Sequence, residues 1–335
     1  MPTMEVIMKK VLIVILALAL IVVTLTACNT DNLEQYKKAF EKTEQIKKGQ
    51  SSGEITVKLD FNAEGLSAED AKELNNFKDM SGSFNIVFDD DAEKAIFKNY
   101  FNFGGLGYDF EMFINGEELA MKLPVIGKYL KINEMQQIEA ETKGYDQIIS
   151  DDTMKQIAEK WVGLMKEEDV FKGKNIIITT LDGDVKTTEY TVTLSSEQIK
   201  EMVLGSIEIA SKDDKLQNFF NENITMKVND KEKLTFEEVL KGIRDNIDKF
   251  EIDSFKYTAL VDIDGYIVND NLVYSLISTD EKITLKRADY NQDIKNWDIN
   301  KEQTFKFPVL NEENTLDTEG SEDVPSLMED LFKNN

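Results

Sequence analysis

Histidine, the residue most often used for acid–base catalysis at neutral pH, is absent from this sequence of 335 residues. Its absence excludes Ser-His and Cys-His nucleophilic machinery and every zinc site that needs an imidazole ligand. The chain has one cysteine, Cys28, so no disulfide can form within it. The reactive groups are therefore a single thiol and a large number of carboxylates.

Asp and Glu together number 64, and two carboxylates about 5 to 9 Å apart can hydrolyse a glycosidic bond. No local pattern singles out such a pair, so a carboxylate-only hydrolase is the third of three functional hypotheses. The segment 289–293 resembles the start of a calcium loop, but Ile294 stands where glycine is needed and Asn300 where a bidentate glutamate is needed. The sequence therefore predicts no metal site and no cofactor.

Cys28 lies where its thiol can accept a lipid. Two lysines at 9–10 precede an uninterrupted apolar run over 11–23, which is typical of an export signal and shorter than the roughly 20 residues of a transmembrane span. The run is followed by Leu25-Thr26-Ala27-Cys28, which resembles the lipobox of bacterial lipoproteins. The resemblance implies that 1–27 is a signal peptide and that Cys28 carries a diacylglycerol thioether. The alternatives are an ordinary signal peptide followed by a chance cysteine, or an uncleaved anchor.

The chain is strongly acidic, with a formal charge of −25. Removal of 1–27 takes away two lysines and one glutamate and makes the charge more negative by one. Such a surface is repelled by nucleic acid and by anionic lipid headgroups. We therefore expect no nucleic-acid partner, and we expect the lipid on Cys28 to hold the protein at the outer face of the cytoplasmic membrane.

Beyond the anchor, the pattern alternates between helices and short-looped strands. An amphipathic helix is expected over 31–48. Strand runs at 54–132 and 252–307 are separated by helical spacing, and Asn115-Gly116 is the strongest hairpin signal. Consecutive strands joined by short loops are antiparallel. The sequence predicts one α+β domain over 28–310 with about eleven strands, and two similar halves are the weaker alternative.

Several element boundaries follow from turn-forming residues. Gly49 is expected to end the first helix, and 50–53 to form a turn. Helical spacing is expected over 134–167, and the last two strands at 282–286 and 304–307.

The residues from 311 to 335 form an acidic tail. A short helix near its end is expected to carry an apolar stripe of Leu327, Met328, Leu331 and Phe332. Two alternatives remain for this stripe: it docks onto the domain, or it belongs to a frayed chain end.

The layout resembles the LolA/LprG-type carriers and is also similar to uncharacterised lipoproteins of clostridia and their relatives. The resemblance rests on Cys28, the first helix and the two strand runs. It implies a large curved sheet, a half-barrel, with helices packed on its concave side and acyl chains held there. The chain is longer than those carriers and has extra helical segments. The alternative is that these segments, and not a ligand, fill the cavity.

Eight side chains are the candidate lining of such a cavity, because alternate residues of a strand share one face. They are Phe101, Phe103, Tyr108, Phe110, Met112, Ile114, Leu119 and Met121. Phenylalanine and methionine adapt to the irregular shape of an acyl chain. The leading hypothesis is a lipid-anchored, extracytoplasmic protein that binds a lipid or a lipoprotein acyl chain without catalysis. The alternative is a structural or interaction lipoprotein with a filled core, which meets an envelope partner through its acidic surface.

Overall fold

The structure is a computed structural model, and it describes residues 31–116, 118–122, 127–131, 149–223 and 235–316. The helices are α1 (Asp31–Glu44), α2 (Ala68–Asn75), α3 (Asp151–Leu164), α4 (Ser196–Ala210), α5 (Asp214–Asn223) and α6 (Phe236–Asn246). The first six strands are β1 (Lys48–Phe61), β2 (Asp79–Asp89), β3 (Lys94–Phe103), β4 (Leu106–Asn115), β5 (Glu118–Lys122) and β6 (Tyr129–Lys131). The other five are β7 (Val170–Thr180), β8 (Gly183–Val192), β9 (Phe250–Asp262), β10 (Ile267–Ser278) and β11 (Leu285–Trp297).

All of these strands belong to one antiparallel sheet with the order β6-β5-β4-β3-β2-β1-β11-β10-β9-β8-β7. Strands β1–β6 form one run of neighbours and β7–β11 another, and the pairing of β1 with β11 joins the two runs. Within the described ranges β6 and β7 are the two ends of the sheet and do not pair, so the sheet is open. The predicted class, an α+β protein with about eleven antiparallel strands, is confirmed.

The helices pack on one face of the sheet, which we call the inner face. Each of the six helices contributes a buried apolar residue to one core, in which the inner face of β1 and β7–β11 takes part through residues such as Leu59, Tyr257 and Tyr274. The other strand residues are assigned to the inner or the outer face by alternation, since successive side chains of a strand point to opposite faces. The helix-covered core thus occupies one half of the sheet.

Two of the core helices begin at capping boxes that the sequence shows. The Ser195 hydroxyl accepts a hydrogen bond from the Gln198 backbone N–H, and Thr235 does the same for Glu238. Each box satisfies backbone donors that the first helical turn leaves unpaired. In α4 the buried residues include Ile199, Met202, Val203 and Ile207, which lie on one side of the helix.

A smaller core lies on the opposite, outer face of β3–β5. Phe305, Phe307 and Leu310 pack there against Ile96, Phe113 and Ala120. The segment then reaches β6, where the backbone N–H groups of Tyr129 and Leu316 bond to the Asn314 and Tyr129 carbonyls, both at 2.8 Å. The predicted strand at 304–307 is wrong, because this part of the chain lies across the sheet without pairing in it.

Two other predictions, the end of the first helix and the turn at 50–53, are wrong, and both errors have one cause. The first helix ends at Glu44 instead of reaching residue 48, and 50–53 lie inside β1 instead of forming a turn. Both β2 and β11 pair with this part of β1, from Lys48 and Gln50 onward. Hydrogen-bonding partners on both sides outweigh the low strand propensity of a Gly- and Ser-rich stretch.

The last strand runs over Leu285–Trp297 and not over 282–286. The segment that resembles a calcium loop is the middle of this strand, with Asp289, Asn291 and Asp293 on the outer face and Tyr290 and Gln292 on the inner face. Polar residues at every second position are what a strand with one exposed face requires.

Candidate ligand-binding face

All eight residues predicted as cavity lining lie on the inner face of the sheet. The register pairs Phe101 with Tyr108 and Phe103 with Leu106, and it places Met112 opposite Met121 and Ile114 opposite Leu119. Residues that are directly opposite in neighbouring strands project from the same face. The same ladder continues through β2 to Leu59 and its neighbours in β1, which identifies the face as the one that carries the helices.

The eight side chains differ in exposure. Tyr108 is buried, with its ring stacked on Phe103 at 5.3 Å between centroids. Phe101 is 47% exposed and meets Phe110 edge-on at 6.2 Å. The other six are half-buried.

Strand β2 adds residues that the sequence reasoning missed. Met80, Phe84, Ile86 and Phe88 project from the same face and pair with β3 on the ladder that leads to the predicted lining. The sequence signal for three of them is the alternation of polar and apolar residues over 83–88, inside the predicted strand run 54–132. We call the inner face of β2–β5 the apolar face. Its described positions are Met80, Gly82, Phe84, Ile86, Phe88, Ala95, Phe97, Asn99, Phe101, Phe103, Leu106, Tyr108, Phe110, Met112, Ile114, Leu119 and Met121.

The apolar face carries no charged side chain at these positions, whereas the outer face of the same strands is charged. On the outer face Glu111 bridges Lys122 at 3.0 Å and Lys98 at 3.6 Å. Apart from Met80, the residues of the apolar face belong neither to the helix-covered core nor to the small outer core. The described helices therefore fill one half of the inner face, and the apolar face is the other half.

Two glycines set the position of two rings on this face. A Cβ atom on Gly53 would overlap the ring of Phe84, and one on Gly82 would lie 3.2 Å from the ring of Phe101. Each ring thus extends over the glycine of the neighbouring strand, toward the helix-covered half. Close approach of this kind requires a residue without a side chain.

The helix-covered half contains a buried polar cluster beneath α1. The Tyr290 hydroxyl donates to Gln292 Oε1 at 2.8 Å, and Gln292 is hydrogen-bonded to Asp270. The pKa of Asp270 is raised to about 7, mainly by burial and also by the negative charge of Asp293, while the hydrogen bond with Gln292 opposes the rise. Burial also raises the pKa of Tyr36 and Tyr257, which are hydrogen-bonded to each other. The carboxyl with the largest rise in pKa therefore lies in the helix-covered half of the inner face and not on the apolar face.

Within the described ranges, no three side chains of Cys, Asp or Glu are grouped so that they could hold a metal ion. None of the described helices is both long enough and apolar enough to cross a membrane. Several sequence predictions lie outside the described residues, namely the lipobox Leu25, Thr26 and Ala27, the lipid attachment residue Cys28, the part of the predicted helix before residue 149, and the stripe of the tail.

No protein-family model matches the chain, and no curated protein matches it. Among solved structures it is similar to a LolA superfamily protein from Nitrosomonas europaea, at 7% identity over 82% of this chain and 96% of that one, with a TM-score of 0.19. A TM-score this low carries no weight for the function.

Proposed function

We propose that this protein is a lipid-anchored, extracytoplasmic binding protein that holds a hydrophobic ligand, a lipid or a lipoprotein acyl chain, on its apolar face without catalysis. The observation that carries the proposal is the composition of that face. It is an uncharged surface made mainly of phenylalanine, methionine and aliphatic residues, half-buried or exposed at most positions and, apart from Met80, outside the helix-covered core. Sites for apolar ligands are lined by such residues with few polar groups.

The size of the effect can be worked from the hydrocarbon. Each methylene that leaves water for an apolar surface contributes about 0.8 kcal/mol. About ten methylenes on the face would give about 8 kcal/mol, which corresponds to a micromolar dissociation constant before the cost of ordering the chain. We therefore expect affinity to rise with acyl length.

The test uses the fragment 29–335, which retains every described residue. It is purified from cells, weighed by native mass spectrometry and then extracted with organic solvent. We expect lipid to copurify with it and to be lost from Phe110→Asp. The matched control is Phe171→Asp, because Phe171 is an exposed phenylalanine on β7, away from the face.

A mass without ligand that stays unchanged after incubation with membrane lipids would refute binding. That outcome would favour the alternative of an interaction lipoprotein, since the helix-covered half is a packed core in any case.

The anchor is the second part of the proposal, supported by the position of the single cysteine after Leu25-Thr26-Ala27. An acyl thioether on Cys28 would supply the membrane attachment that an acidic surface does not. Replacement of Cys28 by Ala, followed by cell fractionation, tests it. We expect the variant to leave the membrane fraction for the medium, or to remain unprocessed, and a variant that is processed and stays on the membrane would contradict the lipid anchor.

A further inference from the structure

One polar side chain interrupts the apolar face at its middle. Asn99 of β3 pairs with Phe84 of β2 on one side and with Phe110 of β4 on the other. Phe97 and Phe101, two residues away along β3, project from the same face. A half-buried amide is thus surrounded by four phenylalanine positions.

The side-chain amide of Asn99 has no hydrogen-bond partner in the part of the chain that the structure describes. Two other amides on this sheet show the pairing that Asn99 lacks. Asn271 Nδ2 donates to the Gln292 carbonyl at 2.7 Å, and Asn296 Nδ2 donates to the Ile267 carbonyl at 3.0 Å. Among the described residues nothing occupies the donors and the acceptor of Asn99, so a molecule that meets this face can bond to them.

Two of the surrounding rings incline away from the amide. The ring of Phe84 lies over Gly53 in β1, and that of Phe101 lies over Gly82 in β2, both on the side toward the helix-covered half. The small residues Gly53 and Gly82 thus keep these rings beside the amide and not on top of it. The amide is accessible from the same side as the hydrophobic surface.

Covering this amide with hydrocarbon alone is unfavourable, because a buried polar group without a partner costs about 1–3 kcal/mol. A ligand that places a carbonyl oxygen at Asn99 avoids that cost. A carboxylate is poorly suited, since the described positions of the apolar face hold no cation to compensate the loss of its hydration. A neutral ester meets both requirements.

We propose that Asn99 is the specificity-determining residue of the apolar face, and that its amide donates a hydrogen bond to the carbonyl of a neutral acyl ester. This inference rests on the proposed function, because it concerns the same face. It narrows the ligand from any hydrophobic molecule to acyl esters, and it predicts discrimination among ligands with the same chain.

The test compares three probes that share a sixteen-carbon chain: monopalmitoylglycerol, palmitate and hexadecane. Their dissociation constants are measured on the fragment 29–335 by displacement of a fluorescent probe. We expect the order of affinity to be ester, then hydrocarbon or carboxylate. In Asn99→Leu we expect the ester to bind about tenfold more weakly and hexadecane to bind at least as tightly as before.

Asn85→Leu is the matched control, because Asn85 is an exposed asparagine on the outer face of β2, opposite Lys98. It should leave all three constants unchanged. A second variant, Asn99→Ala, removes the donors without adding a charge, and it should weaken ester binding relative to hexadecane even if the leucine variant folds poorly.

The outcomes separate the two proposals. If the unmodified protein binds none of the probes, the proposed function fails. If it binds them but Asn99→Leu and Asn99→Ala change ester and hydrocarbon equally or not at all, hydrophobic binding stands and the role of Asn99 is refuted.

Discussion

Replacement of Asp270 by Asn should stabilise this protein at neutral and alkaline pH. Asp270 projects from the inner face of β10, opposite Ala259 and Ile294, into the core beneath α1. Gln292 and the tyrosines 36, 257 and 290 surround it on the inner face, and Asp293 acts on it electrostatically from the outer face of β11. No described cation is paired with it, so its charged form is disfavoured by burial.

The magnitude follows from the pKa of Asp270, which is about 7 in the folded protein against an ordinary value of 3.8. Between these values the folded state binds a proton that the unfolded state has lost, so the free energy of unfolding falls as pH rises from about 4 to about 7. One pKa unit corresponds to about 1.36 kcal/mol, and the full cost above pH 7 is therefore about 4 kcal/mol. Asparagine has the same shape and never ionises.

The assay is urea denaturation of the fragment 29–335 and of Asp270→Asn across this pH range. We expect equal stability near pH 4 and a difference that grows to about 4 kcal/mol at pH 8. Asp213→Asn is the control with the opposite sign. Hydrogen bonds from the backbone of Ser150 and Leu216 lower the pKa of Asp213 to about 2, so this variant should be destabilised above pH 4. Equal stability of Asp270→Asn and the parent at pH 8 would refute the reasoning.

Three further substitutions test other parts of the structure. Gly53→Ala should displace the ring of Phe84 and weaken the binding of hydrophobic probes. Gly163→Ala in α3, where the space around the glycine is open, should leave that binding unchanged. Restored binding in the double variant Gly53→Ala/Phe84→Ala would show that the displaced ring is the cause. Ser195→Ala should remove the cap of α4 and lower the free energy of unfolding by about 1 kcal/mol in denaturant titrations, and no change would mean that the cap is redundant. Phe307→Ala should loosen the C-terminal segment on the outer face. We expect faster amide hydrogen exchange at the β6 edge and unchanged exchange in β9 and β10. Equally faster exchange in all of these strands would contradict a local role of Phe307.

Much of the sheet could be read from the sequence where one face is apolar and the turns are short. Strands β3, β4 and β5 follow from alternation and from the Asn115-Gly116 turn, and their shared face follows with them. Strand β11 could not be read in this way. Its outer positions include Asp and Asn, and its inner positions include Gln292, so its pattern of apolar residues is weak. Its conformation is set by the strands that pair with it.

The candidate site was predictable in its residue types but not in its detail. The eight lining residues share a face because strand geometry requires it. The isolation of Asn99 depends on which residues of β2 and β4 lie beside it, and register between strands is a tertiary property. The inclination of Phe84 over Gly53 likewise needs the neighbouring strand in place.

The pairing of β1 with β11 has a consequence for how the chain folds. Gln50 lies beside Trp297, so the contact at the centre of the sheet joins segments at nearly opposite ends of the described chain. Closing a loop of this length costs about 5 kcal/mol of chain entropy before any contact compensates it. Non-local pairing of this kind slows folding. The two halves of the sheet can assemble as local meanders, but the molecule becomes a single unit only after its last strand has been synthesised.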